Sequence, residues 1–442
     1  MGESVLIKGG TVCDPSQGIH DQRDVLILDG RVAEIAPGID ESKAAGGEVI
    51  DAAGLVVSPG FVELRAHFRE PGGESAETIE TGALAAAHGG YTTVLCAPNT
   101  STVIDDPSLV RFITARAAQA CGVRIRPVAA ATRGLEGTEL TDFASLLESG
   151  AVAFSDADHS IANAATLRRA LESAGDLGAV VIEQCENREL TGSGVMHEGV
   201  VALRLGLHGI PRMSESTQVA RDAAIAHAAG GRLHISQLSC ADSVEVVRDA
   251  KRRGTPITAE VSPHHLTMID EAVAGAGYGY NTSAKVRPPL RQESDRKALV
   301  EGLEDGTIDC IATCHAPHTE ASKNTVFDQA PFGIIGLESA FPVLYTQFVR
   351  SGRWTLDFLI EKLTIAPARV LNLEVGSLVT GAPGDVVMLR LGQPSVFDES
   401  ALASKSKNCP WLGETMMAAI ERTIVGGQCV YGAHDVLSGG VA

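Results

Sequence analysis

Short apolar runs bounded by glycine open the chain: Val5-Leu-Ile-Lys8, Asp24-Val-Leu-Ile-Leu28 ahead of an Asp29-Gly30 turn, Arg31-Val-Ala-Glu-Ile35 and Val49-Ile-Asp51. Their β-branched content and their turn residues predict a small β domain. The same pattern returns near the other end, in Gly384-Asp-Val-Val-Met-Leu-Arg-Leu391 and Arg422-Thr-Ile-Val-Gly-Gly-Gln-Cys-Val-Tyr431 around a Gly426-Gly427 turn, so the two ends can complete one sheet. Between them the pattern changes. Strand-like runs (Leu55 to Leu64, Tyr91 to Cys96, Val123 to Val128, Ala151 to Phe154, Ala179 to Ile182, Arg232 to Ile235, Pro256 to Val261 and Asp309 to Thr313) alternate with helical stretches such as Glu77 to Ala87 and Ser243 to Arg253. About eight βα units in succession are what a parallel barrel requires. The polar stretch from Thr319 to Gln329 is expected to be a mobile loop.

A chain of 442 residues suits one such barrel with an appended domain. A formal net charge of −19 argues against a nucleic-acid or anionic-membrane partner, either of which would call for clustered Lys and Arg. No apolar run reaches membrane-spanning length, and the first residues lack the order of a signal peptide, so a cytoplasmic location is expected. The nine cysteines are scattered and form no Cys-x-x-Cys pair, which predicts neither a disulfide framework nor a zinc knuckle.

The segment Phe61-Val-Glu-Leu-Arg-Ala-His-Phe-Arg-Glu-Pro-Gly72 carries the most chemistry. In a strand, residues i and i+2 share a face, so a His-x-His pair presents two imidazoles to one divalent metal. Here only the second imidazole is present, as His67, and position 65 is arginine. A guanidinium does not deprotonate in a protein, so it supplies a permanent cation where a metal needs a lone pair.

Ser58 to Gly72, Thr78-Ile-Glu-Thr-Gly82, Gly89-Gly-Tyr-Thr-Thr-Val94, Pro98-Asn-Thr100, Gly150 to Ser155, Pro263-His-His-Leu266, Lys285 to Arg291, Gly306 to His318 and Ala330 to Glu338 together resemble the class I dihydroorotases of the amidohydrolase superfamily over nearly the whole chain. That resemblance implies a distorted (β/α)8 TIM barrel over 56–374, and a small composite β-sandwich built from 1–55 and 375–442. It also implies the chemistry of pyrimidine synthesis, closure of N-carbamoyl-aspartate to dihydroorotate and its reversal by metal-bound hydroxide.

Against the family's metal ligands this chain differs at five of six positions: Arg65, Ala157, Gln184, Gln237 and Cys314, with His67 kept. Amide oxygen is a poor zinc donor, so the exchanges at 184 and 237 keep bulk and hydrogen bonding while removing ligands. Arg65 is expected to supply the missing positive charge, paired with Glu63, Asp156 or Asp158, the two aspartates flanking Ala157. No lysine lies between Lys43 and Lys251, which excludes a carbamylated bridging lysine. Arg69, Asn99 and His318 match the family's substrate-binding residues, while Arg287 stands where the family usually has asparagine; His264 and His265 fall in a motif read as structural.

The expectation from these substitutions is a non-catalytic dihydroorotase-like subunit without a cofactor. Its expected partners are the catalytic subunit of aspartate transcarbamoylase, whose assembly it would support, and further copies of itself. The alternatives are a divergent cyclic amidohydrolase, either with zinc held by His67, Cys185 and Cys314 or metal-free around Arg65 and His318, and a module sensing dihydroorotate or carbamoyl-aspartate.

Overall fold

The computed structural model describes residues 4–44, 46–275 and 279–433. The chain enters through five strands, β1 (Ser4–Asp14), β2 (Ile19–Leu28), β3 (Arg31–Ala36), β4 (Glu48–Asp51) and β5 (Val56–Pro59). It then builds β6 (Phe61–Ala66), β7 (Tyr91–Cys96), β8 (Arg124–Pro127), β9 (Phe154–Ser155) and β10 (Val180–Glu183). After a two-residue pair, β11 (Met196–His197) with β12 (Gly209–Ile210), come β13 (Arg232–Ile235), β14 (Ile257–Val261) and β15 (Cys310–Ile311). The chain closes with β16 (Val386–Val396), β17 (Thr415–Val425) and β18 (Gln428–Gly432).

Eight parallel strands form the barrel. β6, β7 and β8 pair in one group, and β9, β10, β13, β14 and β15 in another. Bridges Ala129↔Phe154 and Ala66↔His315 join the two groups and close the ring. Their residues are almost all buried on both faces, which is why these strands read as continuous apolar runs without alternation. The helices Ile79–His88 and Ala241–Arg252 stand where the periodicity places them. The second has its buried residues Ser243, Val244, Val247 and Ala250 at helical spacing on one side, against the barrel.

Strands from both chain ends share one sheet in the order β18-β17-β16-β5-β1-β2-β3, with β4 on β1. The junction with the barrel lies later than residue 55, because Val56–Pro59 pairs with both β1 and β16. Gly60 then turns the chain from sheet to barrel in a space where a Cβ would come within 2.2 Å of the Thr92 side chain. The stretch expected to be a mobile loop contains a helical turn, Glu320–Lys323. It is tied inward by Lys323, buried and donating to the carbonyls of Thr282 and Pro331. All nine cysteines are free, seven of them buried, with Cys121 intermediate and Cys429 exposed. Among the described residues no helix is long and apolar enough to cross a membrane.

Candidate active site

The C-terminal ends of the barrel strands converge on a cavity of about 320 Å³ lined by Arg65, His67, Arg69, Asp158, Gln237, His264, Arg287 and Cys314, among others. This is the face on which barrel enzymes assemble their chemistry. Four residues here, Arg69, Ala157, Gln237 and Cys314, hold left-handed backbone conformations, with φ between 53° and 61°. None is glycine, and such conformations persist only where the surroundings enforce them. Three of the four are positions at which the side chain departs from the family pattern. The backbone geometry of the site is thus retained where its ligands are exchanged.

Arg65 occupies the centre. It is 6% exposed, and it donates from Nη1 to Ser236 Oγ at 2.5 Å and from Nη2 to Gln184 Oε1 at 2.5 Å and to the Asp158 carboxylate. Of the three acids expected as partners, Asp158 makes the ion pair. Asp156 turns instead to the backbone N–H and hydroxyl of Thr132. Glu63 accepts the backbone N–H groups of Arg65 and Thr313 beneath the site, and burial pushes its carboxyl up to about 8. The Gln184 amide is used at both ends, since its Nε2 donates to the Arg287 carbonyl at 3.2 Å.

Asp158 links this centre to the retained residues. Asn99 Nδ2 donates to its carboxylate at 2.9 Å, and Asn99 Oδ1 lies 2.8 Å from His67 Nδ1. Because that amide oxygen can only accept, the network assigns the proton to Nδ1 of His67 and leaves the lone pair on Nε2, 3.9 Å from Asp158. Burial, reinforced by Arg69 and Arg65, pushes His67 down to about 3, so the ring is neutral at physiological pH. Burial alone would raise the Asp158 carboxyl, but its positively charged surroundings outweigh this and hold it below the usual carboxylate range. With His67 neutral, Arg65 and Arg69 supply that field. Asp158 is 45% exposed and sits at the open edge of the cavity.

Arg69 donates from Nε to the Pro317 carbonyl at 3.1 Å, with Nη2 3.5 Å from Nε2 of His318. His318 Nε2 must donate to the Phe332 carbonyl at 2.8 Å, and burial brings its pKa down to about 3. Asn99 and His67 therefore meet in one network around Asp158, while Arg69 acts on that carboxylate through its charge and adjoins His318. Arg287 stacks 4.2 Å over the Phe332 ring and lies 3.6 Å from Glu186. One departure seen in the sequence reaches the cavity, and one residue there was not foreseen. Arg287 adds a third guanidinium to the cavity lining, and His264 faces the cavity although its motif reads as structural. Among the described residues, four buried polar atoms of the cavity lining have no hydrogen-bond partner in the protein: Arg65 Nε, Gln237 Oε1, His264 Nδ1 and Arg287 Nε. Buried polar groups are rarely left so, and their clustering marks a place for a polar ligand.

A metal does not fit this donor set. A guanidinium fills the centre, Ala157 offers no ligand, and two positions carry amides. The Cys314 thiol is engaged within the barrel, directed at the Ala312 carbonyl at 3.7 Å and at Glu260 at 3.9 Å. The combination expected as an alternative is not assembled either. Cys185 donates to Asp222 of the helix Met213–Ala229, at 3.3 Å. Among the described residues, His67, Cys185 and Cys314 are not one of the groups whose ligand atoms lie within 4.8 Å of one another.

The barrel with its terminal sheet is a fold that the chain shares with solved hydantoinases. The L-hydantoinase (dihydropyrimidinase) from Arthrobacter aurescens superimposes with a TM-score of 0.85 at 24% identity, covering 98% of this chain and 96% of that one. A D-hydantoinase from Thermus sp. gives 0.81 at 22%, over 96% and 94%. Within this architecture the sequence is more specific. Residues 54–243 match the Dihydro-orotase-like family. The dihydroorotase of Pelotomaculum thermopropionicum is 47% identical over 430 residues, 96% of this chain and 98% of the relative, and that of Halalkalibacterium halodurans is 45% identical over 431 residues, 98% and 99%. The chain belongs to the dihydroorotase family. These relatives overturn the expectation of a non-catalytic assembly subunit. Full-length similarity at this level is to proteins named as the enzyme, and substitutions at ligand positions do not by themselves remove a chain from an enzymatic role.

Proposed function

We propose that the chain is a divergent cyclic amidohydrolase of pyrimidine metabolism that interconverts dihydroorotate and N-carbamoyl-aspartate in the barrel-mouth cavity without a metal at its centre. The observation that carries this reading is the cavity itself. It is large enough for a single-ring molecule, and it is lined by Arg65, Arg69 and Arg287 with unpartnered donor and acceptor atoms beside them. A cyclic ureide bearing a carboxylate presents the complementary features: an anion for a guanidinium fork, carbonyl oxygens for donors and ring N–H groups for Gln237 Oε1.

Ring opening adds water across the amide. The water oxygen bonds to the carbonyl carbon and the C–N bond breaks; one water proton goes to the departing ureido nitrogen, and the other is lost as the new carboxyl ionises. Negative charge collects on the carbonyl oxygen in the transition state, and Arg65 is the buried cation available to receive it. Its unused Nε–H is a free donor for that oxygen. His67 Nε2 is the neutral base facing the cavity, although a pKa pushed down to about 3 makes it a weak one. Turnover is accordingly expected to be slow. The test is a dihydroorotate hydrolysis and carbamoyl-aspartate cyclisation assay on the full chain, before and after chelation. Turnover that survives chelation and is abolished in Arg65→Met supports the reading. Binding without turnover, or turnover that needs added metal, refutes it.

A further inference from the structure

Away from the barrel mouth, three metal-binding side chains of different kinds meet at the joint between sheet and barrel. Cys13 and His20 are directly opposed in the antiparallel β1/β2 pair, so their side chains leave the hairpin on the same face. Asp357, in the first turn of the helix Leu356–Leu363, reaches both. Its Oδ2 lies 2.7 Å from His20 Nδ1 and its Oδ1 3.6 Å from Cys13 Sγ. The three ligand atoms all fall within 4.8 Å of one another. We infer that Cys13, His20 and Asp357 form a site for one zinc-class divalent ion that clips the N-terminal hairpin to the barrel.

The geometry is close to what such an ion needs. Bonds of roughly 2.3 Å to sulfur and 2.0–2.2 Å to nitrogen and oxygen place tetrahedral ligand atoms about 3.3–3.6 Å apart. The sulfur–oxygen edge already has this length, the imidazole would withdraw from the carboxylate by less than about an ångström, and the sulfur–nitrogen edge is at most 4.8 Å. Access comes from one side. Cys13 is buried, whereas the side chains of His20 and Asp357 are 43% and 40% exposed, which leaves the outer position for water. The charges agree as well. The Asp357 carboxylate supplies the anionic ligand, and a bound cation would displace the Cys13 thiol proton to solvent. Among the described residues the second such group, His234, Glu260 and Cys310, is wholly buried between barrel strands and has no open side for a water ligand.

The experiment is a cobalt(II) titration of the chelated, reduced full-length chain, followed by zinc displacement and thermal unfolding with and without zinc. One equivalent of cobalt giving a thiolate-to-metal charge-transfer band and a tetrahedral visible spectrum is expected. The band should vanish in Cys13→Ser and persist in Cys314→Ser. His20→Ala, a half-exposed change that leaves the hairpin core intact, should weaken zinc affinity at least about tenfold. Zinc should raise the unfolding midpoint of the native chain and not that of Cys13→Ser. Absence of a sulfur-ligand band, or its unchanged presence in Cys13→Ser, overturns the inference. A band lost instead in Cys314→Ser would move the metal to the barrel mouth and refute the metal-free reading of that cavity too.

Discussion

Replacing Arg65 with methionine should remove function while leaving the chain folded. Methionine keeps the length of the stem and deletes the charge and three hydrogen-bonding partnerships, those with Ser236, Gln184 and Asp158. The Ser236 hydroxyl can reorient. Gln184 Oε1 is buried and would lose its donor, at a cost of about 1–3 kcal/mol. Asp158, 45% exposed, can rehydrate, so losing its pair costs at most about 1 kcal/mol, far below the 3–5 kcal/mol of a fully buried broken pair. Against these stands the relief of a guanidinium buried to 6% exposure with an unpartnered Nε, about 1–3 kcal/mol. The balance is a destabilisation of no more than roughly 3 kcal/mol. Function should respond differently. Deleting a donor to a developing oxyanion costs about 10²–10³ in kcat. The assays are urea unfolding and the dihydroorotate ring-opening rate on the same preparations, with Arg65→Lys falling between the two because it keeps charge but not the fork. A variant that retains full turnover, or one that unfolds outright, would refute the assignment of Arg65 as the site's working cation.

Other expectations follow from the same geometry. Arg69→Ala should raise KM for dihydroorotate about tenfold or more with a smaller effect on kcat, since it removes a carboxylate clamp and not the oxyanion donor; an unchanged KM would exclude that role. Burial holds His67 and His318 near 3 and His88, His197 and His265 near 4, so the folded state binds fewer protons than the unfolded one between those values and about 6.5. Stability should therefore be complete above pH 6.5 and fall progressively below it, measured as urea midpoints against pH. Glu63 acts with the opposite sign: its folded pKa of about 8 lies above the ordinary 4.5, so its contribution declines as pH rises between the two, and Glu63→Gln should remove that slope. Ala157→Gly should raise stability by about 0.5–1 kcal/mol. It relieves about 1–2 kcal/mol of left-handed strain at φ 53° and adds about 0.4–1 kcal/mol of unfolded-state entropy. A lowered urea midpoint would show that Ala157 is not strained.

Much of the molecule was legible in its residues because the signals are local. The alternation of buried apolar runs with amphipathic helices marked all eight barrel strands, and the glycine-bounded runs marked the shared sheet except for Val56–Pro59, which read as the start of the first barrel strand. The replaced positions at 65, 184, 237 and 314 were also plain, since each stands inside an otherwise intact motif. What the chain does with those replacements was not legible. The sequence offered three acids for Arg65, and only the approach of β6 to the loop after β9 selects Asp158, while Asp156 faces Thr132. Sequence likewise placed Cys185 one residue from Gln184, yet the thiol goes to a neighbouring helix while the amide goes to the site.

The sequence by itself determined the elements, their order and the chemical types available at the strand ends, because periodicity and backbone preference act over a few residues. Tertiary structure alone decided which of those groups meet. It put a guanidinium among Ser236, Gln184 and Asp158, left Gln237 and His264 with unspent hydrogen bonds, and brought Asp357 from late in the chain onto a hairpin near its start. Those contacts span separations from 93 to 337 residues along the chain, which no local pattern encodes; barrel closure and domain docking fix them.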